Sequence, residues 1–134
     1  MKTISLKDAV ALIPDAASLM IGGFMAVGTP ERVVDELVRQ GKRNLTVIAN
    51  DTAMPGRGIG KLVSAGLISR TIASHIGLNP ETQQQMINGK MAVELVPQRT
   101  LIERWKNTPT RSGTWFATRV GMPIPRLTSI PRAQ

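Results

Sequence analysis

A glycine-rich segment over residues 22–30 is the part of the chain best suited to hold a ligand. It reads Gly-Gly-Phe-Met-Ala-Val-Gly-Thr-Pro and follows the apolar run Ser18–Ile21. Because glycine has no Cβ, the backbone here can come close to a phosphate or an amide of a ligand. Two of the glycines have the spacing of a phosphate-binding P-loop, but Thr29-Pro30 stands where that loop needs Lys and Ser or Thr. From composition alone, a ligand loop and a plain strand-to-helix turn are equally good interpretations.

Two ionisable residues at predicted strand ends could also do chemistry. His75 could carry a proton, but it is the only histidine, and a lone histidine is more often structural. Asp51 could contact a ligand, although an Asp directly after a strand usually caps a turn. The chain has no cysteine, which excludes disulfides, thiolate metal sites and cysteine nucleophiles. The roles of His75 and Asp51 therefore stay open.

Apolar runs alternate with helix signals through the first 103 residues. Helices are predicted after the capping residue Ser5, from the cap Thr29 and Pro30 to the stop at Gly41, over Ile59–Ala65, and from the cap Asn79 and Pro80 to Ile87. Strands are predicted over Ser18–Ile21, Leu45–Ala49, Ile68–Ser74 and Ala92–Val96. This alternation favours an open parallel α/β sheet with helices on both faces.

In such a sheet, ligands bind beyond the carboxyl ends of the strands. The strand-to-helix loops predicted there are Gly22–Thr29, Asn50–Gly58, His75–Asn79 and Pro97–Thr100. We expect these four loops to lie together at one edge of the sheet and to form the site.

Several segments of the same 103 residues resemble one enzyme family. The run from Asp15 to Pro30 is similar to the signature of the family I coenzyme A transferases, in which three apolar residues lead into Gly-Gly-Phe and then to Gly and Pro. Ala16 is the one departure, because the pattern has Gly or Asn there. Three further segments resemble alpha subunits of the acetate and acetoacetate branch of that family: Ile48–Ala53, Ala73–Thr82 and Leu95–Glu103.

The resemblance implies a Rossmann-like fold of the coenzyme A transferase type, incomplete at its C-terminus. It also implies transfer of coenzyme A from an acyl-CoA to a short-chain carboxylate through a catalytic glutamate, which belongs to a beta subunit in an α2β2 assembly. Coenzyme A would be a substrate, with no cofactor and no metal. Gln98 matches a family glutamine whose amide helps to hold an oxyanion. The residues that match the coenzyme A loop are Gly22, Gly23, Phe24, Met25, Ala26, Val27 and Gly28.

The pattern changes near Glu103. Arg99 stands where the family has glycine, and it would shift the Gln98 backbone if that position needs a positive φ. Residues 104–134 hold six of the 17 Lys and Arg and none of the nine Asp and Glu. We expect residues 1–103 to form a partial coenzyme A transferase alpha domain. We expect residues 104–134 to be a basic, Pro- and Arg-rich disordered tail, unrelated to the family and produced by a frameshift or rearrangement.

Two other functions fit the sequence. An inactive remnant could dock on the beta subunit without catalysis, or the basic tail could bind nucleic acid. The tail has no recognition helix and no regular basic-aromatic array, which disfavours nucleic acid. The longest uncharged run, residues 16–30, is shorter than the ~20 residues of a membrane span and lies too far inside the chain for a secretory signal. We therefore expect a cytoplasmic protein without a membrane partner.

Overall fold

Strands and helices alternate along the chain, as the apolar runs and cap signals predict. The computed structural model describes residues 3–107, 114–117 and 128–129. The elements are α1 (Leu6–Ala11), β1 (Ser18–Ile21), α2 (Glu31–Gln40), β2 (Leu45–Asp51), α3 (Gly60–Ser64), β3 (Ile68–His75), α4 (Pro80–Ile87), β4 (Ala92–Leu95), α5 (Gln98–Asn107), β5 (Thr114–Ala117) and β6 (Thr128–Ser129). None of the described helices is long and apolar enough to cross a bilayer.

These strands form one sheet in the order β4-β3-β2-β1-β5-β6. The pairs from β4 to β5 are parallel, and β6 runs antiparallel to β5. In register, Leu19 of β1 lies beside Val47 of β2, and Val47 lies beside Thr71 of β3. The predicted parallel α/β fold is therefore confirmed, and β1 has a neighbour on each side.

Helices cover both faces of the sheet. Each crossover from β1 to β4 moves one strand in the same direction, and right-handed connections then put α2, α3 and α4 on one face. On that face α1 packs on α2, α2 on α3, and α3 on α4. Helix α5 lies on the other face. Its first residue, Gln98, contacts Asn50, and the residue before Asn50 on β2, Ala49, points into the main core.

The main core lies between β1–β3 and the helices of the first face. Every second residue of β2 is buried, and Leu45, Val47 and Ala49 are fully so. They pack in one cluster with helix residues such as Leu37 and Leu62. The burial of each such large side chain contributes about 1.5–3 kcal/mol. The sheet and this helix layer therefore form one rigid support for the loops at the strand ends.

Two predicted helix caps are confirmed and one is wrong. Ser5 Oγ accepts the Asp8 N–H at 3.1 Å, and Asn79 Oδ1 accepts the first N–H groups of α4. Thr29 does not cap α2, whose N-cap is Pro30 with no side-chain cap bond. The Thr29 side chain is buried against Gly23 instead, so the packing of the glycine loop takes the hydroxyl away from the helix.

Helix α5 begins where the sequence predicts the loop Pro97–Thr100. The Leu101 N–H donates to Pro97 O at 2.9 Å, and the Leu101 side chain is 1% exposed. Burial of this leucine explains the helix, because it gives the segment an apolar anchor. Arg99 lies in the first turn and is not among the residues with positive φ, so a side chain at this position does not displace Gln98.

The division of the chain at Glu103 stays a prediction. Helix α5 continues past it to Asn107, and β5 and β6 of the predicted tail pair with the sheet. The expectation of a disordered tail also covers residues 108–113, 118–127 and 130–134, which lie outside the described residues.

A buried polar cluster joins the β2 end to α4. The Asn79 Nδ2 donates to Thr52 O at 3.0 Å, and the Thr82 Oγ1 lies 2.9 Å from the Thr52 Oγ1. All three side chains are at most 1% exposed. Because buried polar groups need partners, each residue of this cluster depends on the other two.

We predict that Asn79→Ala lowers the free energy of unfolding by about 2–3 kcal/mol, because it removes a helix cap and leaves Thr52 O without a donor. Chemical denaturation of the full chain measures this. Asn88→Ala at the exposed end of the same helix is the matched control and should cost less than about 0.5 kcal/mol. Equal losses in the two variants would contradict the role of the buried cluster.

Candidate functional site

The glycine loop turns back on itself directly after β1. Phe24 and Val27 exchange two backbone hydrogen bonds of 2.9 and 2.8 Å. Met25 and Ala26 between them have φ values of 50° and 69°. Left-handed φ at both central residues is the geometry of a type I′ turn, in which non-glycine residues are strained. The surrounding structure must therefore hold this turn in place.

Gly23 allows the loop to fold back on itself just before α2. Its φ is +125°, and a Cβ there would lie 2.9 Å from Thr29 N and 3.1 Å from Val27 O. Those are backbone atoms that cannot move aside without opening the loop. Position 23 therefore requires glycine for both conformation and space.

Asp51 at the end of β2 holds the tip of the loop. Its carboxylate accepts the Met25 N–H at 3.0 Å and the Ala53 N–H at 2.6 Å, and the residue is only 4% exposed. Hydrogen bonds to a charged acceptor are about twice as strong as neutral ones. The bond to Ala53 makes Asp51 the turn cap that the sequence favours, and the bond to Met25 makes it an anchor for the glycine loop.

The loop that follows β2 packs against the glycine loop. A Cβ at Gly58 would lie 3.1 Å from the Ala26 Cβ, and the Gly58 N–H donates to Glu31 Oε1 at 3.0 Å. Lys61 Nζ lies 2.7 Å from Asp35 Oδ1 and 2.6 Å from Glu31 Oε2. These carboxylates, Asp35 before Glu31, raise the pKa of Lys61 above its usual value. The two loops are thus tied together through the first turns of α2.

Gln98 joins the same site from the second face of the sheet. Its Nε2 donates to Asn50 Oδ1 at 2.5 Å, and its Oε1 lies 2.7 Å from Ser74 Oγ. The Asn50 Nδ2 in turn donates to Gly23 O at 3.0 Å. A side-chain amide has two N–H donors, and Gln98 and Asn50 each use one of theirs in these contacts. A chain of hydrogen bonds therefore connects the Gln98 amide to the glycine loop.

His75 is not part of the hydrogen-bonded series that joins Gln98, Asn50 and Gly23. In register it pairs with Asp51, so its side chain leaves the sheet on the face opposite to Gln98. It is exposed, and its Nδ1 lies 3.4 Å from the Gly77 N–H. A Cβ at Gly77 would come within 2.6 Å of the imidazole, so this glycine makes room for the ring.

Neither Asn50 nor Ser74 is singled out by the sequence: Asn50 is only the first residue of a predicted site loop, and Ser74 is the last residue of a predicted strand. They are neighbours on the second face of the sheet, one position before the paired Asp51 and His75, and both contact Gln98. A signal exists in the sequence, because each is a polar residue two positions after an isoleucine of the same strand face. Its meaning depends on the strand register, which the sequence does not specify.

Apolar side chains cover the outside of the glycine loop. Phe24 is 58% exposed, Val27 is 78% exposed, and Met25 is 37% exposed. The backbone of the same loop is bonded to the Asn50 amide, which in turn contacts Gln98. The site thus combines an apolar surface with neutral amide donors, a combination typical of small-molecule sites. Among the described residues, no group of three or more acidic or histidine side chains could hold a metal ion.

Comparison with known proteins gives a consistent result. The model of the coenzyme A transferase family matches residues 3–123. The acetate CoA-transferase subunit alpha of Escherichia coli K12 is 52% identical over 103 residues, which are 77% of this chain and 47% of that protein. The acetoacetyl-CoA:acetate/butyrate CoA transferase alpha subunit of Clostridium acetobutylicum is 45% identical over the same shares. The chain thus spans about half the length of these curated relatives.

Solved structures share the fold. A variant of the decarboxylase AibA/AibB superposes with a TM-score of 0.64 at 32% identity, covering 79% of this chain and 44% of that one. Glutaconate coenzyme A-transferase from Acidaminococcus fermentans superposes with a TM-score of 0.66 at 23% identity, covering 78% and 34%. The second likeness shows the fold alone.

We predict that Asp51→Asn loosens the glycine loop, because an amide presents only one acceptor oxygen to the two N–H groups. Loss of a charge-assisted hydrogen bond should speed exchange of the Met25 amide proton about 10- to 100-fold. Hydrogen exchange followed by NMR measures this rate. Asp35→Asn removes an exposed carboxylate that pairs with Lys61, and it should leave the Met25 rate unchanged. Unchanged exchange in Asp51→Asn would contradict the anchoring role.

Proposed function

Because the chain belongs to the coenzyme A transferase family, we propose that it supplies the alpha-subunit part of a short-chain acyl-CoA:carboxylate CoA-transferase. The proposed reaction moves coenzyme A between acetyl-CoA or acetoacetyl-CoA and a short-chain fatty acid. A separate beta subunit supplies the glutamate that attacks the thioester. Coenzyme A enters as a substrate.

The Gly22–Gly28 loop is the proposed contact for coenzyme A. Its exposed Phe24, Met25 and Val27 side chains offer an apolar surface, and its turn is held rigid from beneath by Asp51. A rigid apolar loop suits the pantetheine arm of coenzyme A, because little order is lost when the arm binds. This role needs the close approach of Gly23 to Val27 and Thr29, which glycine permits.

Gln98 is the proposed oxyanion donor. Attack of a carboxylate on a thioester puts negative charge on the former carbonyl oxygen, and a fixed N–H donor stabilises that charge. The observation that carries the proposal is the tie between this amide and the loop, from Gln98 Nε2 to Asn50 Oδ1 and from Asn50 Nδ2 to Gly23 O. This tie brings a neutral donor next to the proposed coenzyme A contact.

We predict that Gly23→Ala weakens coenzyme A binding at least tenfold, because its Cβ would force the loop away from Thr29. Calorimetry with coenzyme A and acetyl-CoA, on the full chain alone and with a beta subunit of an acetate CoA-transferase, measures the affinity. Gly66→Ala is the matched control. Gly66 also has a positive φ, +68°, but nothing lies within 4 Å of the added Cβ.

The control variant should therefore bind as the unchanged chain does. If the unchanged chain binds no coenzyme A species in either setting, the proposed loop role fails.

We predict that Gln98→Glu lowers kcat for transfer by a factor on the order of 10² to 10³, because it replaces the donor with an acceptor oxygen. The assay follows transfer from acetyl-CoA to butyrate with the chain and beta subunit mixed. Gln84→Glu on the exposed side of α4 makes the same chemical change far from the loops and should leave kcat unchanged. Assembly with beta but no transfer by the unchanged chain would favour the inactive docking protein instead.

A further inference from the structure

A glutamine can serve as an oxyanion donor only when its nitrogen, and not its oxygen, faces the substrate. The two ends of a side-chain amide have nearly the same shape, so packing does not distinguish them. Hydrogen-bond partners must therefore fix the orientation of the Gln98 amide.

The partners in this site permit one orientation. Gly23 O can only accept, so the Asn50 side chain must turn its Nδ2 toward it, at 3.0 Å. The Asn50 Oδ1 then faces Gln98. Because that oxygen can only accept, Gln98 must donate to it through its Nε2, at 2.5 Å. The Gln98 Oε1 is then directed at Ser74 Oγ, 2.7 Å away. The backbone carbonyl of the glycine loop thus sets the direction of the whole chain of hydrogen bonds.

Ser74 completes the chain at its other end. A hydroxyl has one proton, and Ser74 Oγ lies between two acceptors, Gln98 Oε1 and the backbone O of Asn50 at 2.8 Å. When the serine proton points to Gln98 Oε1, the nearer of the two acceptors, both ends of the Gln98 amide are held. An amide held at one end can pivot about that contact, whereas one held at both ends cannot.

We propose that Ser74 is a positioning residue that fixes the Gln98 amide with one N–H left for the substrate. This inference rests on the proposed function, in which Gln98 donates to the oxyanion. Ser74 lies on β3, a central strand, so its Oγ is carried by a rigid element rather than by a loop. Asn50 acts at the other end, but a change there would also release Gly23 O, so Ser74 gives the cleaner test.

The test compares three single variants in the transfer assay with the beta subunit. Ser74→Ala should lower kcat about tenfold while KM for acetyl-CoA stays within about twofold, because one orienting hydrogen bond is lost without loss of the binding loop. Ser74→Thr keeps a hydroxyl at the same place and should restore most of kcat. Ser69→Ala is the matched control. Ser69 is on the same strand and its Oγ donates to Asn44 O of the neighbouring chain segment, far from Gln98.

A second measurement does not depend on activity. The ¹⁵N order parameter of the Gln98 side-chain amide, measured by NMR on the full chain, should fall in Ser74→Ala and stay high in Ser74→Thr and Ser69→Ala. An unchanged order parameter in Ser74→Ala, or an equal fall in Ser69→Ala, would overturn the inference. If the unchanged chain with beta subunit gives no transfer, the proposed function fails, and the order parameter still decides the role of Ser74.

Discussion

Residues at the end of strand β2 form hydrogen bonds with the glycine loop on both faces of the sheet. Asn50 and Asp51 are consecutive, so their side chains leave the strand in opposite directions. Asn50 donates to the Gly23 carbonyl on one face, and Asp51 accepts the Met25 N–H on the other. A turn with left-handed φ at Met25 and Ala26 is costly by itself, and this double contact is what holds it. The remaining features of the site follow from it.

One consequence is that the two helix layers meet at the site. The loop from β2 to α3 is fastened to α2 through Gly58 and Glu31, on the first face. On the second face, α5 presents Gln98 to Asn50. The first turn of α5 is secured by the buried Leu101. A change in how α5 packs would therefore reach the glycine loop through two amide side chains, Gln98 and Asn50.

The sequence predicted the sheet well and the contacts of the site poorly. Apolar runs mark all four strands of the first 103 residues, because burial dominates their energetics. Strand β2 nevertheless extends two residues beyond the predicted Ala49, since the polar Asn50 and Asp51 carry no apolar signal. The proposed role of Gln98 entered by resemblance, but its contacts with Asn50 and Ser74 depend on how β2 and β3 align. Register describes how two paired strands align, and the sequence of neither strand specifies that alignment.

The hydrogen bonds of the loop also change what it offers a ligand. A glycine-rich segment before a helix suggests free N–H groups for a phosphate. Here the N–H groups of Phe24, Met25, Val27 and Thr29 all donate within the chain. The first N–H of α2, at Glu31, is also used, by Thr29 O. With these donors occupied, fewer N–H groups are left for a phosphate, and the exposed Phe24, Met25 and Val27 side chains support the proposed contact with a pantetheine arm.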